Sequence, residues 1–396
     1  MGILDSDFPS LFSISADMKI NDVKIELLNG QMPKSLVALP AVTTDSGNVP
    51  IQHIYVKILT DEGITGIYGP IDKGQAFHIQ TQTQLKHILI GQDPLASEKI
   101  WDEMIRRFHR HGRTGIFMMA ISAIDNGLWD LRGKYYSVPV YRLLGGPTRE
   151  RIRVYASMLG CSTQTDLASK HAKTAKDMGY TAQKWFFPWW PKGTPSEMMQ
   201  DISLAYAVRE AVGDEYELMF DAVMTWELDY ALNVAKAIVP IRPKWLEEPV
   251  HACQLDGFMR IKQATGIPLA AGEHLYTRWD AKSYLDVGVL DFVQTDPDWT
   301  GGISELTKIC SMSATYGVKV CPHGHTVSAA AHVIASQPES VCPFLEYLLS
   351  WAPRQQFFQK NPPVPINGYM SLPEGNGLGI ELDDAKIETR MELSGD

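Results

Sequence analysis

Apolar and polar residues alternate with a period of two near the start of the chain, and the rhythm then changes twice. MKINDVKIELLN at 18–29 and IQHIYVKILT at 51–60 carry β-branched and aromatic residues in strand-like alternation. DEG at 61–63, followed by ITGIYG, reads as a hairpin turn into a third strand. From about 74 to 140 the spacing becomes helical. The clearest stretch, MMAISAIDNGLWDLRGKYY, offers Ile121, Ile124, Leu128, Trp129 and Leu131 as a buried face. VPVYRLLGG closes this part, with Gly145 and Gly146 as a stop signal. A few antiparallel strands followed by helices make an α+β unit.

From about 152 short apolar runs alternate with helix-like stretches. RVYASM, AQKWFF, ELMFDA, PKWLEE, PLAAGE, DFVQTD, VKVCPH and PFLEYL are eight candidate strands, with seven helical stretches between them. This predicts an α/β chain with a TIM-type barrel of the (β/α)7β kind over 146–350, behind an α+β domain over 1–145. After 350 the chain turns Pro- and Gly-rich, with QKNPPVPINGYMSLPEGNGLGIELD. A tail of this length has to pack somewhere, and 351–396 is expected to return to the first domain.

Three acidic residues keep the barrel's period. Asp221 in LMFDAV, Glu247 in KWLEEPV and Glu273 in LAAGEHL stand 26 and 26 residues apart. One strand, one helix and two loops take about that length when eight units use about 250 residues. The spacing puts the three carboxylates at the C-terminal ends of successive parallel strands, which is the catalytic face of such a barrel. Converging there, they would repel one another unless a hard cation neutralised them. All-oxygen ligation with open positions suits Mg²⁺. Glu248, next to Glu247, should point the other way on a strand and either support the ligands from behind or serve a structural role.

The same count reaches further residues. Asp296 ends DFVQTD, His323 ends VKVCPH and Glu346 lies in PFLEYL, while Lys184 in AQKWFF comes 37 residues before Asp221. Every barrel strand from the second to the eighth thus carries a titratable residue. Any one alone would read as a surface or capping charge, but seven in period do not.

Composition narrows the class. The chain is 45% hydrophobic and 21% charged, with a net charge of −10 and no basic run, which argues against a nucleic-acid surface. No run of 18 apolar residues suggests a membrane span, and no secretion signal opens the chain. The opening MGILDS meets the loose myristoylation pattern, which is short and common by chance. Five widely spaced cysteines without a CxxC argue against a disulfide framework, so a cytoplasmic location is expected.

AISAIDNGLWDLRGK, VYRLLGG, the LEEP and GEH strand ends, and QTDPDWTGG before PHGH resemble the enolase superfamily on its mandelate racemase side. The resemblance covers essentially the whole chain. The barrel half is most similar to acid-sugar dehydratases of the L-rhamnonate dehydratase type. It implies a capping first domain and a small carboxylate substrate with a hydrogen on its α-carbon. It also implies Mg²⁺ on Asp221, Glu247 and Glu273, stabilising the enediolate formed on deprotonation. His323 then matches the general base and Asp296 its partner. Glu346 matches an acid that donates to the intermediate, which requires a raised pKa.

Racemases of the superfamily carry KxK on the second strand, whereas this chain reads Lys184-Trp185-Phe186. The second base is replaced, so a two-base racemisation is disfavoured. Lys184 is then a contact for the substrate carboxylate or, failing that, a partner of a metal carboxylate. His274 resembles a position kept in rhamnonate-type dehydratases and is expected to touch substrate, and His325 of His-Gly-His to line the pocket. The aromatic run Trp185, Phe186, Phe187, Trp189 and Trp190 is expected to pack and to narrow the mouth. GPIDKG at 69–74 and PKSLVALPAV at 33–42 resemble the loops that close over the site.

The expected protein is therefore a Mg²⁺-dependent acid-sugar dehydratase, assembled as a homo-oligomer. Its rivals are an epimerase or racemase using Lys184 or His274 as second base, and a non-catalytic metal-binding relative.

Overall fold

The computed structural model describes residues 18–36, 47–71, 77, 81–110, 112–188 and 193–393. The MGILDS opening, Trp189, Trp190 and much of the two loop segments, 37–42 and 72–74, lie outside the described residues.

The N-terminal alternation folds as read. β1 (Ile20–Pro33), β2 (Asn48–Thr60) and β3 (Thr65–Tyr68) form an antiparallel sheet. Gly63, at φ 82°, turns the chain between β2 and β3. α1 (Ser97–Phe108) and α2 (Ile116–Tyr135) follow. Ile121, Ile124, Leu128, Trp129 and Leu131 are buried, as their spacing requires.

The polar face of α2 is buried too, which periodicity did not foretell. It meets the start of a barrel helix, α8 (Gly302–Thr315). Ser122 Oγ accepts from Gly301 N, Asn126 Oδ1 from Ile303 N and Asp125 Oδ2 from Ser304 N. The first N–H groups of a helix have no partner within it. The N-terminal helix supplies those partners across the interface, and this ties it to the loop that carries Asp296.

Eight parallel strands make the second sheet, each in the place the apolar runs predict: β4 (Arg151–Ser157), β5 (Ala182–Phe186), β6 (Glu217–Asp221), β7 (Trp245–Glu247), β8 (Leu269–Ala271), β9 (Phe292–Val293), β10 (Lys319–Val320) and β11 (Leu345–Leu348). The strands are hydrogen-bonded in chain order from β4 to β10, and β11 returns to pair with β4. Val320 N bonds Val341 O at 2.8 Å, joining β10 to the segment before β11. Seven helices connect them: α3 (Thr165–Asp177), α4 (Pro195–Val212), α5 (Leu228–Ile238), α6 (Leu255–Thr265), α7 (Thr277–Val287), α8 and α9 (Val327–Ser336).

One side chain per strand fills the barrel axis. Tyr155, Ala182, Met219, Trp245, Ala270, Phe292, Cys321 and Phe344 form a buried cluster of their own. Large and small residues mix in this plug, so the interior is a packed floor and not a pore.

The tail touches both parts. β12 (Tyr369–Ser371) adds to β4 antiparallel, and β13 (Thr389–Glu392) adds to β1 with Glu26 opposite Glu392. Between them Leu378 N bonds the buried Asp130 of α2 at 2.8 Å. Phe358 packs edge-on against His53 of β2, ring centroids 5.2 Å apart. Among the described residues no helix is long and apolar enough to cross a membrane.

Burial pushes the His53 imidazole down to about 3, with His325 and Arg354 adding to the effect. The folded state therefore binds fewer protons than the unfolded chain between about pH 3 and the ordinary histidine range. Its contribution is full above about 6.5 and is lost as the pH falls toward 3. His53→Leu should flatten the rise of the melting temperature between pH 4 and 6.5. An unchanged slope would show that His53 titrates normally in the fold.

Candidate active site

Side chains two apart on a strand share a face. Two residues beyond the plug, that rule delivers Ser157, Lys184, Asp221, Glu247, Gln294, His323 and Glu346 to one level above it. On β8 the corresponding place is Gly272, and Glu273 follows it. A side chain at Gly272 would collide with the Gln294 and Thr295 backbone, so the close approach requires glycine. Glu273, Asp296 and His323 lie just past the ends of their short strands. The backbone there still bonds across, with Gln294 N on Ala271 O and His323 N on Gln294 O.

Lys184, fully buried, is the hub of the lower half. Its Nζ lies 2.6 Å from Glu247 Oε1, 3.0 Å from Glu346 Oε1 and 3.2 Å from Asp221 Oδ2. Burial disfavours its charge, but Glu247 and Glu346 outweigh that and hold it well above the usual lysine range. Three carboxylates face the three donors of one ammonium, so Lys184 is a partner of the carboxylates.

Glu247 also accepts from Trp245 Nε1 at 2.9 Å and Gln294 Nε2 at 2.7 Å. Burial, and then Asp221 beside it, still push its carboxyl well above the ordinary range. Asp221 is pushed up to about 6 by burial, with Glu273 and Glu248 adding to it against Lys184. Lys184 thus does not fully offset the cost of burying and crowding these carboxylates.

Glu346 corrects an expectation. Its role as an acid required a raised pKa, yet its carboxyl is held below the usual glutamate range. Burial would raise it, but Lys184 and His323 overcome burial. Gly324 N donates to its Oε2 at 2.9 Å, and a side chain at Gly324 would strike Glu346. In this arrangement Glu346 accepts from Lys184 and the Gly324 backbone, and the raised pKa expected of it is not found.

The upper half is built on histidines. His323 Nδ1 lies 2.7 Å from Asp296 Oδ2, and its Nε2 3.2 Å from Glu273 Oε2. Burial opposes the imidazolium, but Glu273 and the Asp296 hydrogen bond lift it to about 10. His274 Nδ1 stands 3.1 Å from Glu248 Oε2 and 3.3 Å from Glu273 Oε1. His325 Nδ1 lies 2.8 Å from Asp298 Oδ2 and its Nε2 3.4 Å from Gln355 Nε2, so protein groups face both ring nitrogens. Trp299 lies among all three imidazoles, with ring centroids 5.0 Å from His323, 5.5 Å from His325 and 5.8 Å from His274.

All nine residues singled out from the sequence therefore meet at one mouth. Several others do as well. Glu248 is a second correction: it does not point away but is buried and bonded to His274. Its φ of 39° ends the strand alternation right after Glu247 and turns the side chain back. Gln294 sits two places after a plug residue and was legible from that rule. Asp298, Trp299 and Tyr68 of β3 carried no periodic signal. The aromatic run divides by alternation: Phe186 shares the inward face, its ring 5.1 Å from Lys184 Nζ. Trp185 and Phe187 are buried, with Phe187 stacked on Phe220.

Residues 33–145 match the N-terminal domain of the mandelate racemase/muconate lactonizing enzymes, and 167–386 match the enolase C-terminal domain-like family. The chain belongs to this family of the enolase superfamily. It is an enzyme. It is 33% identical to D-galactarolactone cycloisomerase of Agrobacterium fabrum, over 86% of this chain and 91% of that protein. It is 30% identical to L-rhamnonate dehydratase of Saccharopolyspora erythraea, over 87% and 86%. A racemase from Streptomyces coelicolor A3(2), solved with bound magnesium, superposes with a TM-score of 0.78 at 30% identity, covering 93% of this chain and 98% of that one.

The family's divalent cation fits the residues present. Asp221 and Glu247 stand opposite each other in the β6–β7 register, and Glu273 lies two residues past the end of the next strand. The set is oxygen-only and over-charged, and Glu273 is partly exposed toward the mouth. A second cluster competes: Glu248, Glu273 and His274 each bring a possible ligand atom within 4.8 Å of the others. That set mixes in a nitrogen, and its Glu248 and His274 already satisfy each other. Among the described residues only the Glu248 set brings its ligand atoms that close together, whereas donor chemistry favours the oxygen triad for Mg²⁺. Glu247→Gln should weaken Mg²⁺ binding at least about tenfold by calorimetry, because ligand charge sets affinity, with the circular dichroism spectrum unchanged. Undiminished affinity would assign the ion to the Glu248 cluster.

Proposed function

We propose that the enzyme removes water from a 2,3-dihydroxy sugar acid to give a 2-keto-3-deoxy acid. The observation that carries this reading is one imidazole–carboxylate pair at the mouth with an aromatic ring where a second base would stand. His323 is oriented by Asp296 at 2.7 Å, and Phe186 occupies the inward position where a two-base racemase keeps lysine.

His323 Nε2 faces the carboxylate cluster and takes the α-proton. Asp296 holds the imidazole through Nδ1 and stabilises the cation that forms. The β-hydroxyl, presented on the same side, then leaves with that proton as water. The enol that remains ketonises, so atoms and charge balance. A Mg²⁺ ion held by Asp221, Glu247 and Glu273 would supply positive charge to the substrate carboxylate as the α-carbon gives up its proton. Lys184 fixes Glu247 and Asp221 in place, and Glu346 fixes Lys184 and the Gly324 backbone. Trp299 and Phe186 form apolar walls about the imidazole and the ammonium, limiting water.

The similarity to the Agrobacterium cycloisomerase supports a second reading, in which the same proton abstraction ends in isomerisation without loss of water. A library of sugar acids incubated with Mg²⁺ and assayed for keto-acid formation by mass separates the two. Products lighter by one water support dehydration, and isomers of unchanged mass support the second reading.

On the substrate so found, His323→Asn should abolish both turnover and exchange of the α-proton with deuterated solvent. Asp296→Asn should lower kcat about 10²- to 10⁴-fold with little change in KM, the usual range for acid–base assistance. Exchange at the wild-type rate in His323→Asn would require another base, with Lys184 or His274 the suspect.

A further inference from the structure

The loop holding Asp296 and the loop holding His323 are bound to each other before either meets substrate. Asp296 Oδ1 accepts from Asp298 N at 2.6 Å. Its Oδ2 accepts from His325 N at 3.3 Å and pairs with His323 Nδ1 at 2.7 Å. Asp298 in turn pairs through Oδ2 with His325 Nδ1 at 2.8 Å. Gln355, on the segment after β11, approaches the other side of the same ring at 3.4 Å.

One group from outside the barrel enters this lattice. Tyr68, the last residue of β3, is fully buried and donates its phenol O–H to Asp298 Oδ1. The same oxygen lies 3.0 Å from Thr326 Oγ1. Asp298 follows β9 and Thr326 follows β10, so a single hydroxyl spans the two loops that carry the dyad. Burial, with Asp298 beside it, holds the phenol well above its ordinary range, so it acts as a donor.

We propose that Tyr68 is a positioning residue for the His323–Asp296 pair, acting through Asp298, His325 and Thr326. Proton transfer in the barrel then depends on a hydroxyl delivered by the N-terminal sheet. Tyr68 touches neither His323 nor the carboxylate cluster in any contact described. Its effect has to travel through the cross-tied loops. A shift of the imidazole by a fraction of an ångström is enough, because misplacement by about 1 Å can cost about 100-fold in rate. The inference rests on the role given to His323 above, but its test does not need that role to be correct.

The test uses Tyr68→Phe in the full chain, which deletes one oxygen and keeps the ring. Asp298→Asn is the second variant, in case the first alters folding. The first readout is the pair of downfield imidazole N–H resonances expected from Nδ1 of His323 and of His325, each beside a buried carboxylate. They are recorded by NMR and assigned with His323→Asn and His325→Gln. Tyr68→Phe should shift both resonances and speed their exchange with solvent, and Asp298→Asn should do so more strongly. The second readout, on the sugar acid found by the library screen, is a fall in kcat of about 10- to 100-fold with KM within about twofold. If the His323 resonance and its exchange stay at wild-type values in both variants, the proposal is overturned, whatever happens to thermal stability. If the resonances move while no sugar acid is turned over by the wild type, Tyr68 keeps its positioning role and only the dehydratase reading fails.

Discussion

One buried ammonium shared among three carboxylates governs this site. Lys184 lies within 3.2 Å of Asp221, Glu247 and Glu346, all of them buried. Charges so placed are costly unless their neighbours compensate them. Compensation here is incomplete, and it explains the arrangement around it. Glu247 recruits Trp245 and Gln294 as donors, Glu346 recruits the Gly324 backbone, and Glu273 lies close to His323 and His274. The remaining negative charge is what a divalent cation and an anionic substrate would meet. The same charge, Glu273 above all, raises the affinity of His323 for a proton, and a cation on Glu273 would offset that pull.

The rest of the fold serves to hold that charge out of water at one height. The aromatic and aliphatic plug sets the floor, and the period of two along each strand lifts one functional group per strand above it. The N-terminal domain closes the other side through polar contacts. Ser122, Asp125 and Asn126 cap the start of α8, and Tyr68 reaches Asp298. Ser122 and Tyr68 land on the segment between β9 and α8, which carries Asp296, and Asp125 and Asn126 land on the first turn after it. Docking of the sheet domain and geometry of the dyad are therefore the same structural event.

Much of this was legible in the chain. The eight apolar runs are the eight strands, because parallel strands buried on both faces need unbroken apolar stretches. The 26-residue spacing located Asp221, Glu247 and Glu273 because one βα unit has a nearly constant length. What escaped was set by backbone exceptions and by distant partners. Glu248 faces the site because a left-handed residue interrupts its strand. The Glu346 carboxyl is held low because Lys184, 162 positions away in the chain, outweighs its burial. The polar face of α2 gave no sign of burial because its partner, the start of α8, lies 177 to 179 residues on. Tyr68 was one aromatic in a hairpin strand, and its contact with Asp298 spans 230 positions.

On the reading proposed here, the carboxylates around Lys184 seat the cation and the oxygen triad of Asp221, Glu247 and Glu273 holds it. The most direct measurement is anomalous diffraction from crystals grown with Mn²⁺ in place of Mg²⁺. The account predicts one strong peak with an oxygen each from Asp221, Glu247 and Glu273 at about 2.0–2.2 Å, and Lys184 still beside Glu346. A peak ligated by Glu248, Glu273 and His274, with Asp221 and Glu247 remaining on Lys184 alone, would contradict it.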